Sequence, residues 1–280
     1  MSYKLENTIL HLDGVELGYG EGREYKPVLR NINLTEYDVV REGHITGQVI
    51  AVVGRSGRGK STLFKALTGL VKPRSGEVLI TELNTKITND AKIVQEGDVG
   101  FVDQKYTLFR HMTVKQIFAY ALRKSKMSKQ EVNETIARYL GEWGLEKHKD
   151  QYPCELSGGQ RQRTAIIEQI LSSGHFMVLD EPFSGLDVGN IRDVKKSFEL
   201  IKQDHELNTI IYSTHELRLA AELADSIYVV GFPTLEDGTK GNVATIVKHF
   251  DLKAMGLAWQ PFGQRHLALV EEIDAAMMAS

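Results

Sequence analysis

The run Gly54-Arg55-Ser56-Gly57-Arg58-Gly59-Lys60-Ser61-Thr62 has the spacing Gly-x4-Gly-Lys-Ser/Thr, the pattern of a loop that wraps a polyphosphate. Glycines are needed there because the chain must curl tightly and turn its backbone N–H groups inward. A helix that starts near Lys60 adds the positive end of its dipole at the same spot. Lys60 then reaches the β- and γ-phosphates, and the Ser61 hydroxyl completes a Mg²⁺ shell. Far downstream, Asp180 and Glu181 close the apolar stretch Phe176-Met177-Val178-Leu179. A carboxylate at the end of a buried strand is costly unless it orders a cation and its waters. These residues point to a bound nucleoside triphosphate with Mg²⁺. Kinases and GTPases carry the same loop, so the loop alone leaves the reaction open.

The segment Leu156-Ser157-Gly158-Gly159-Gln160-Arg161-Gln162-Arg163 narrows it. Ser157 stands where a helix should begin, as an N-cap. Gly158 and Gly159 leave backbone N–H groups bare enough to approach an anion, so this helix start is a second phosphate site. Together with the loop, the segment resembles the signature of the ATP-binding-cassette (ABC) ATPases, and the resemblance runs from about Leu10 to Val230.

The resemblance implies further roles. Ser157, Gly158, Gly159 and Gln160 would contact the γ-phosphate held by another subunit. Asp180 would order Mg²⁺, and Glu181 resembles the general base that polarises the attacking water. Gln104 resembles the glutamine that touches Mg²⁺ and relays to the partner. His215, in Ser213-Thr214-His215-Glu216, resembles the switch histidine at the γ-phosphate. Asp187, in Ser184-Gly185-Leu186-Asp187, resembles the loop that communicates across a dimer. Tyr19, between Gly18 and Gly20, is the first candidate to stack on adenine, with Tyr25 and Tyr37 as competitors. Three details depart from the family pattern. Arg58 replaces a small residue, either as a cation near the phosphates or, as expected here, turned to solvent. The run Thr164 to Gln169 replaces a common Ala-Arg-Ala, and Glu36 to Gly47 is longer than the expected turn.

Elements must position these residues. Val49 to Val53 is a short β-branched run, the mark of a strand buried on both faces, and the helix Lys60 to Leu70 follows its loop. Thr8 to Leu17, Val28 to Leu34, Val78 to Ile80 and Val99 to Val102 read as strands, with Glu36 to Gly47 as a polar excursion. Thr113 to Trp143 is helical. Then come a helix from Ser157, a strand Phe176 to Leu179, a helix near Val188 to Lys202, a strand Thr209 to Ser213, a helix from Glu216 and a strand Ile227 to Val230. Such alternation makes an α/β fold with a mostly parallel sheet. The expectation is a P-loop NTPase core over 1–232, with an N-terminal antiparallel β region and an inserted α-helical subdomain over about 105–165. Residues 233–280 form an extension with helical character over Asn242 to Leu252 and His266 to Met278. Leu267, Val270, Ile273 and Met277 are spaced for one face, packed on the core or, alternatively, offered to a partner.

The 280 residues carry a net charge of −3 from 34 basic and 37 acidic groups. That balance argues against a surface built for nucleic acid. A single cysteine, Cys154, excludes an internal disulfide framework and points to a reducing compartment. No basic-then-apolar leader opens the sequence, and no run reaches the roughly 18 apolar residues of a membrane span. The resemblance therefore implies a cytoplasmic subunit, peripheral on a membrane. It would bind ATP and Mg²⁺ between two copies of itself or with a paralogue, and drive a separate permease, importing a small solute rather than exporting it. The alternative is a non-transport ABC ATPase in regulation, assembly, or work on ribosomes or nucleic acid. The substrate is not written in this chain.

Overall fold

A computed structural model of the chain describes residues 3–42, 47–81, 91–184, 188–204 and 208–280. Two long strands open it, β1 (Lys4–Tyr19) and β2 (Lys26–Val40), followed by β3 (Gln48–Val53) and α1 (Lys60–Leu67). Next come β4 (Ser75–Thr81), β5 (Ala91–Ile93) and β6 (Gly100–Val102), then the helices α2 (Val114–Ala121), α3 (Lys129–Glu142) and α4 (Gly158–Ser172). The second half alternates β7 (Phe176–Leu179), α5 (Val188–Asp204), β8 (Thr209–Thr214), α6 (Leu217–Leu223) and β9 (Ser226–Gly231). It closes with β10 (Thr245–Asp251) and α7 (Gln264–Ala279).

The strands form two sheets. One is antiparallel, in the order β2-β1-β4-β5. The other has the order β10-β9-β3-β8-β7-β6 and is parallel from β9 to β6. Strand β3 shows why the sequence folds this way. All six of its residues are buried, and alternate side chains face opposite cores. Val49, Ala51 and Val53 join the helices α2 to α7 on one side. Ile50 and Val52 join α1 and the antiparallel sheet on the other. The architecture is thus the expected α/β fold, a mostly parallel core sheet with an antiparallel β region and a helical block.

The edges of the molecule differ from expectation. Glu36 to Val40 continues β2 rather than leaving the sheet. Glu36 is buried there, accepting from the Tyr228 hydroxyl at 2.8 Å and facing Lys253 Nζ at 3.4 Å. Its polarity suggested a surface excursion, but both partners lie about 200 positions downstream, beyond any local pattern. Residues 43–46 lie outside the described residues. Thr245 to Asp251, expected as helix, is a strand that pairs antiparallel with β9. Its Thr-Ile-Val start favours a strand, and it covers what would be an open edge of β9. The sheet therefore continues across the boundary expected at 232. α7 is helical, but it buries His266, Leu269, Ile273 and Met277, while Leu267 is exposed. Among the described residues, no helix is long and apolar enough to cross a membrane.

Candidate functional site

Parallel pairing brings the chemistry to one edge. Val53 is level with Thr214, Leu179 with Tyr212, and Val102 with Leu179. The loops leaving β3, β7, β8 and β6 therefore open at the same end of the sheet, where α/β proteins bind their ligands. Those loops carry Gly54 to Gly59, Asp180 and Glu181, His215, and Gln104. A cavity of about 710 Å³ lies among them, lined by Ser56 to Thr62, Gln104, Asp180, Glu181, Ser184 and His215, with Tyr19 and Val28 as a side wall.

The phosphate loop is a tight curl. Gly57 and Gly59 take left-handed φ angles of +77° and +89°, which glycine adopts without steric cost. Gly59 then caps α1, whose first residue is Lys60. The Lys60 ammonium is buried. It donates to the Gly54 carbonyl at 2.7 Å and lies 3.7 Å from Glu181 Oε1. A buried cation at a helix N-terminus, facing an open cavity, makes an anion site. Arg55 is exposed and does not line the cavity.

Glu181 sits at the centre of the polar groups. His215 Nδ1 donates to its Oε2 at 2.9 Å, and a carboxylate can only accept, so Nδ1 is the protonated nitrogen of this pair. The Glu181 backbone is held at φ +51°, an uncommon state for a residue with a side chain. Its N–H donates to Ser213 Oγ at 2.8 Å, and Ser213 Oγ donates in turn to Asp180 Oδ1 at 2.6 Å. One buried hydroxyl thus ties both carboxylates to the end of β8. Gln104 Nε2 donates to Ser184 Oγ at 3.1 Å, across the mouth of the cavity. Among the described residues, no three His, Cys, Asp or Glu side chains gather into a metal cage. The cavity instead offers the Ser61 hydroxyl, the Gln104 amide and the Asp180 carboxylate. That hard oxygen set suits a Mg²⁺ shared with nucleotide phosphates.

Of the three tyrosines, Tyr19 lines the cavity, half exposed, its hydroxyl 3.0 Å from Thr62 Oγ1. Tyr25 instead lies under the Arg74 guanidinium, 4.0 Å from its ring centre, and Tyr37 is far along β2. Arg58 overturns its expectation: the guanidinium stacks 3.9 Å above the Phe232 ring rather than reaching solvent. Its apolar partner lies far downstream, which no reading of the loop alone could supply.

The signature residues stand apart from this cavity. Ser157 N-caps α4 in a full capping box, with Gln160 N–H on Ser157 Oγ at 3.3 Å and Ser157 N–H on Gln160 Oε1 at 2.8 Å. Ser157 and Gly158 are exposed, and space around Gly158 is open. Gly159 follows in the first turn. A single chain therefore carries a phosphate loop and a separate exposed helix start that do not meet. Asp187 lies outside the described residues. Ser213 was missed by sequence reading; its signal was a hydroxyl in a fully buried strand, which needs partners. Gln162 was missed too, and it fixes the acidic turn by donating to the Pro182 carbonyl at 2.9 Å.

The family described as ABC transporter matches residues 43–184, from before the phosphate loop through Glu181. A sulfate/thiosulfate import ATP-binding protein, CysA, of Thermosynechococcus vestitus is 35% identical over 204 residues, 73% of this chain and 59% of that protein. A putative ABC transporter ATP-binding protein of Pyrococcus furiosus is 35% identical over 223 residues, 79% of this chain and 80% of that one. The dimeric structure of a post-hydrolysis state of the ATP-binding cassette MJ0796, bound to ADP and Pi, is similar with a TM-score of 0.63 at 26% identity. That likeness covers 87% of this chain and 99% of the other. The chain spans less than two thirds of the length of the sulfate/thiosulfate relative.

Proposed function

The chain belongs to the ABC transporter family, and on that premise we propose that it hydrolyses ATP to drive a separate membrane permease. Water attacks the γ-phosphorus, the bond to the β-phosphate oxygen breaks, and ADP and phosphate leave. Glu181 accepts the proton of the attacking water, and His215 orients the carboxylate through Nδ1. Lys60 and the backbone of the curled loop hold the β- and γ-phosphates. Ser61, Gln104 and Asp180 would hold Mg²⁺, which neutralises phosphate charge when bound. Tyr19 supplies the face for adenine.

Two copies sandwich two nucleotides, the phosphate loop of each meeting Ser157, Gly158, Gly159 and Gln160 of the other. The separation of these two anion sites within one chain supports that arrangement, as does the dimer formed by the similar cassette. Closure on ATP and reopening after hydrolysis become the work done on the permease. The name of the sulfate/thiosulfate import relative favours uptake of a small solute from a position on the cytoplasmic face. The permease, not this chain, selects the solute.

The observation that carries the reading is Glu181, held at 2.9 Å by His215 beside the Lys60 loop. Glu181→Gln should retain ATP binding and lower the hydrolysis rate by about 10²-fold or more. Hydrolysis at the wild-type rate would place the base elsewhere.

A further inference from the structure

Arg58 stands between the two left-handed glycines of the phosphate loop. Its guanidinium carbon is 3.9 Å from the centre of the Phe232 ring, and its Nε is buried. Phe232 is the residue after β9, packed partly into the core between the two sheets. The loop is gripped from two other directions by contacts that admit no side chain. A Cβ on Gly54 would lie 2.4 Å from the Val230 carbonyl oxygen, and one on Gly59 would lie 2.9 Å from Val28 Cγ1. Entry and exit of the curl thus pack closely against β9 and β2. Its middle is pinned through Arg58 to Phe232.

The geometry points to the Arg58–Phe232 stack as a positioning device for the triphosphate. A guanidinium is drawn to an aromatic face, more strongly where water is excluded. Held there, Arg58 fixes the backbone between Gly57 and Gly59, so that the inward N–H groups keep one arrangement and lose less freedom when phosphate binds. Arg58 acts through the loop backbone, and Phe232 becomes a determinant of nucleotide affinity although it lies outside the cavity. Charge alone would not require the ring; the stack does. This inference rests on reading the cavity as the nucleotide site.

The test is the affinity of the full chain for Mg-ATP by isothermal titration calorimetry, with Lys60→Ala as the control that loses binding. Phe232→Leu keeps the apolar bulk and removes the ring face. It should weaken ATP by about three- to tenfold, whereas Phe232→Tyr should stay within about twofold of wild type. The double variant Arg58→Ala/Phe232→Leu should bind no more weakly than Arg58→Ala alone, because each substitution removes the same contact. Hydrolysis by Phe232→Leu should show the loss in KM rather than kcat. Melting without nucleotide reports folding, and Arg58→Gln carries the same test should Phe232→Leu not fold. Wild-type affinity in Phe232→Leu, or losses that multiply in the double variant, would overturn the stack's role and leave the nucleotide site standing. A wild-type chain that binds no ATP would overturn both.

Discussion

At the scale of single residues, two adjacent carboxylates are held to different roles. Asp180 and Glu181 share Ser213, whose hydroxyl donates to one side chain and accepts the backbone N–H of the other. Holding Glu181 at φ +51° costs on the order of 1–3 kcal/mol, so the bond to Ser213 stabilises a strained turn. Ser213→Ala should lower hydrolysis by about tenfold or more and destabilise the fold by about 1–3 kcal/mol, measured by steady-state kinetics and urea unfolding. Unchanged values of both would remove Ser213 from the site. Lys60, Asp180 and Glu181 were legible because motif spacing and an apolar strand announce them. Ser213 and Arg58 were not, because each acts through a partner brought close only by the fold. Ser213 lies 33 positions from Asp180, and nothing local marks the pair.

At the scale of elements, the decisive piece is the start of α4. A helix N-terminus leaves N–H groups without partners, and the Ser157–Gln160 capping box occupies two of them. Ser157→Ala should cost about 1 kcal/mol of stability. It should also depress hydrolysis while leaving the ATP affinity of the isolated chain unchanged, because in the proposed sandwich its phosphate belongs to another subunit. A matched fall in that affinity, measured by calorimetry, would contradict the division of labour between chains. Element reading succeeded where composition is extreme: β7 is apolar throughout, β3 is apolar after Gln48, and both appear at the expected residues. It failed at β10, where Lys248, His249 and Asp251 break up the apolar run of an edge strand. Helical and extended periodicities are hard to separate in such a short, mixed segment.

At the scale of the whole molecule, distant segments are locked together by buried polar groups. Lys253, past β10, donates to Ser226 Oγ on β9 at 2.7 Å and faces Glu36 on β2 at 3.4 Å. Asp225, at the head of β9, accepts the Val49 N–H at 2.8 Å. Burial raises its carboxyl from 3.8 to about 6, against the Val49 N–H, Lys202 and Lys253, which lower it. The folded state then binds this proton more tightly than the unfolded chain does. The stability from this group is full below about pH 4 and falls as pH rises through about 6, by about 3 kcal/mol in all. Asp225→Asn removes that dependence, so its unfolding free energy should gain on wild type by about that amount between pH 4 and 7. A difference independent of pH would show that the carboxyl titrates normally.

In the proposed dimer, the cavity of one chain is completed by the exposed α4 start of another. The most direct measurement is the mass of Glu181→Gln in solution, by size-exclusion chromatography with light scattering, with and without saturating Mg-ATP. Glu181→Gln should be a monomer that becomes a dimer when ATP is added, and adding Lys60→Ala should keep it monomeric. A chain that binds ATP yet remains monomeric at every concentration tested would contradict it.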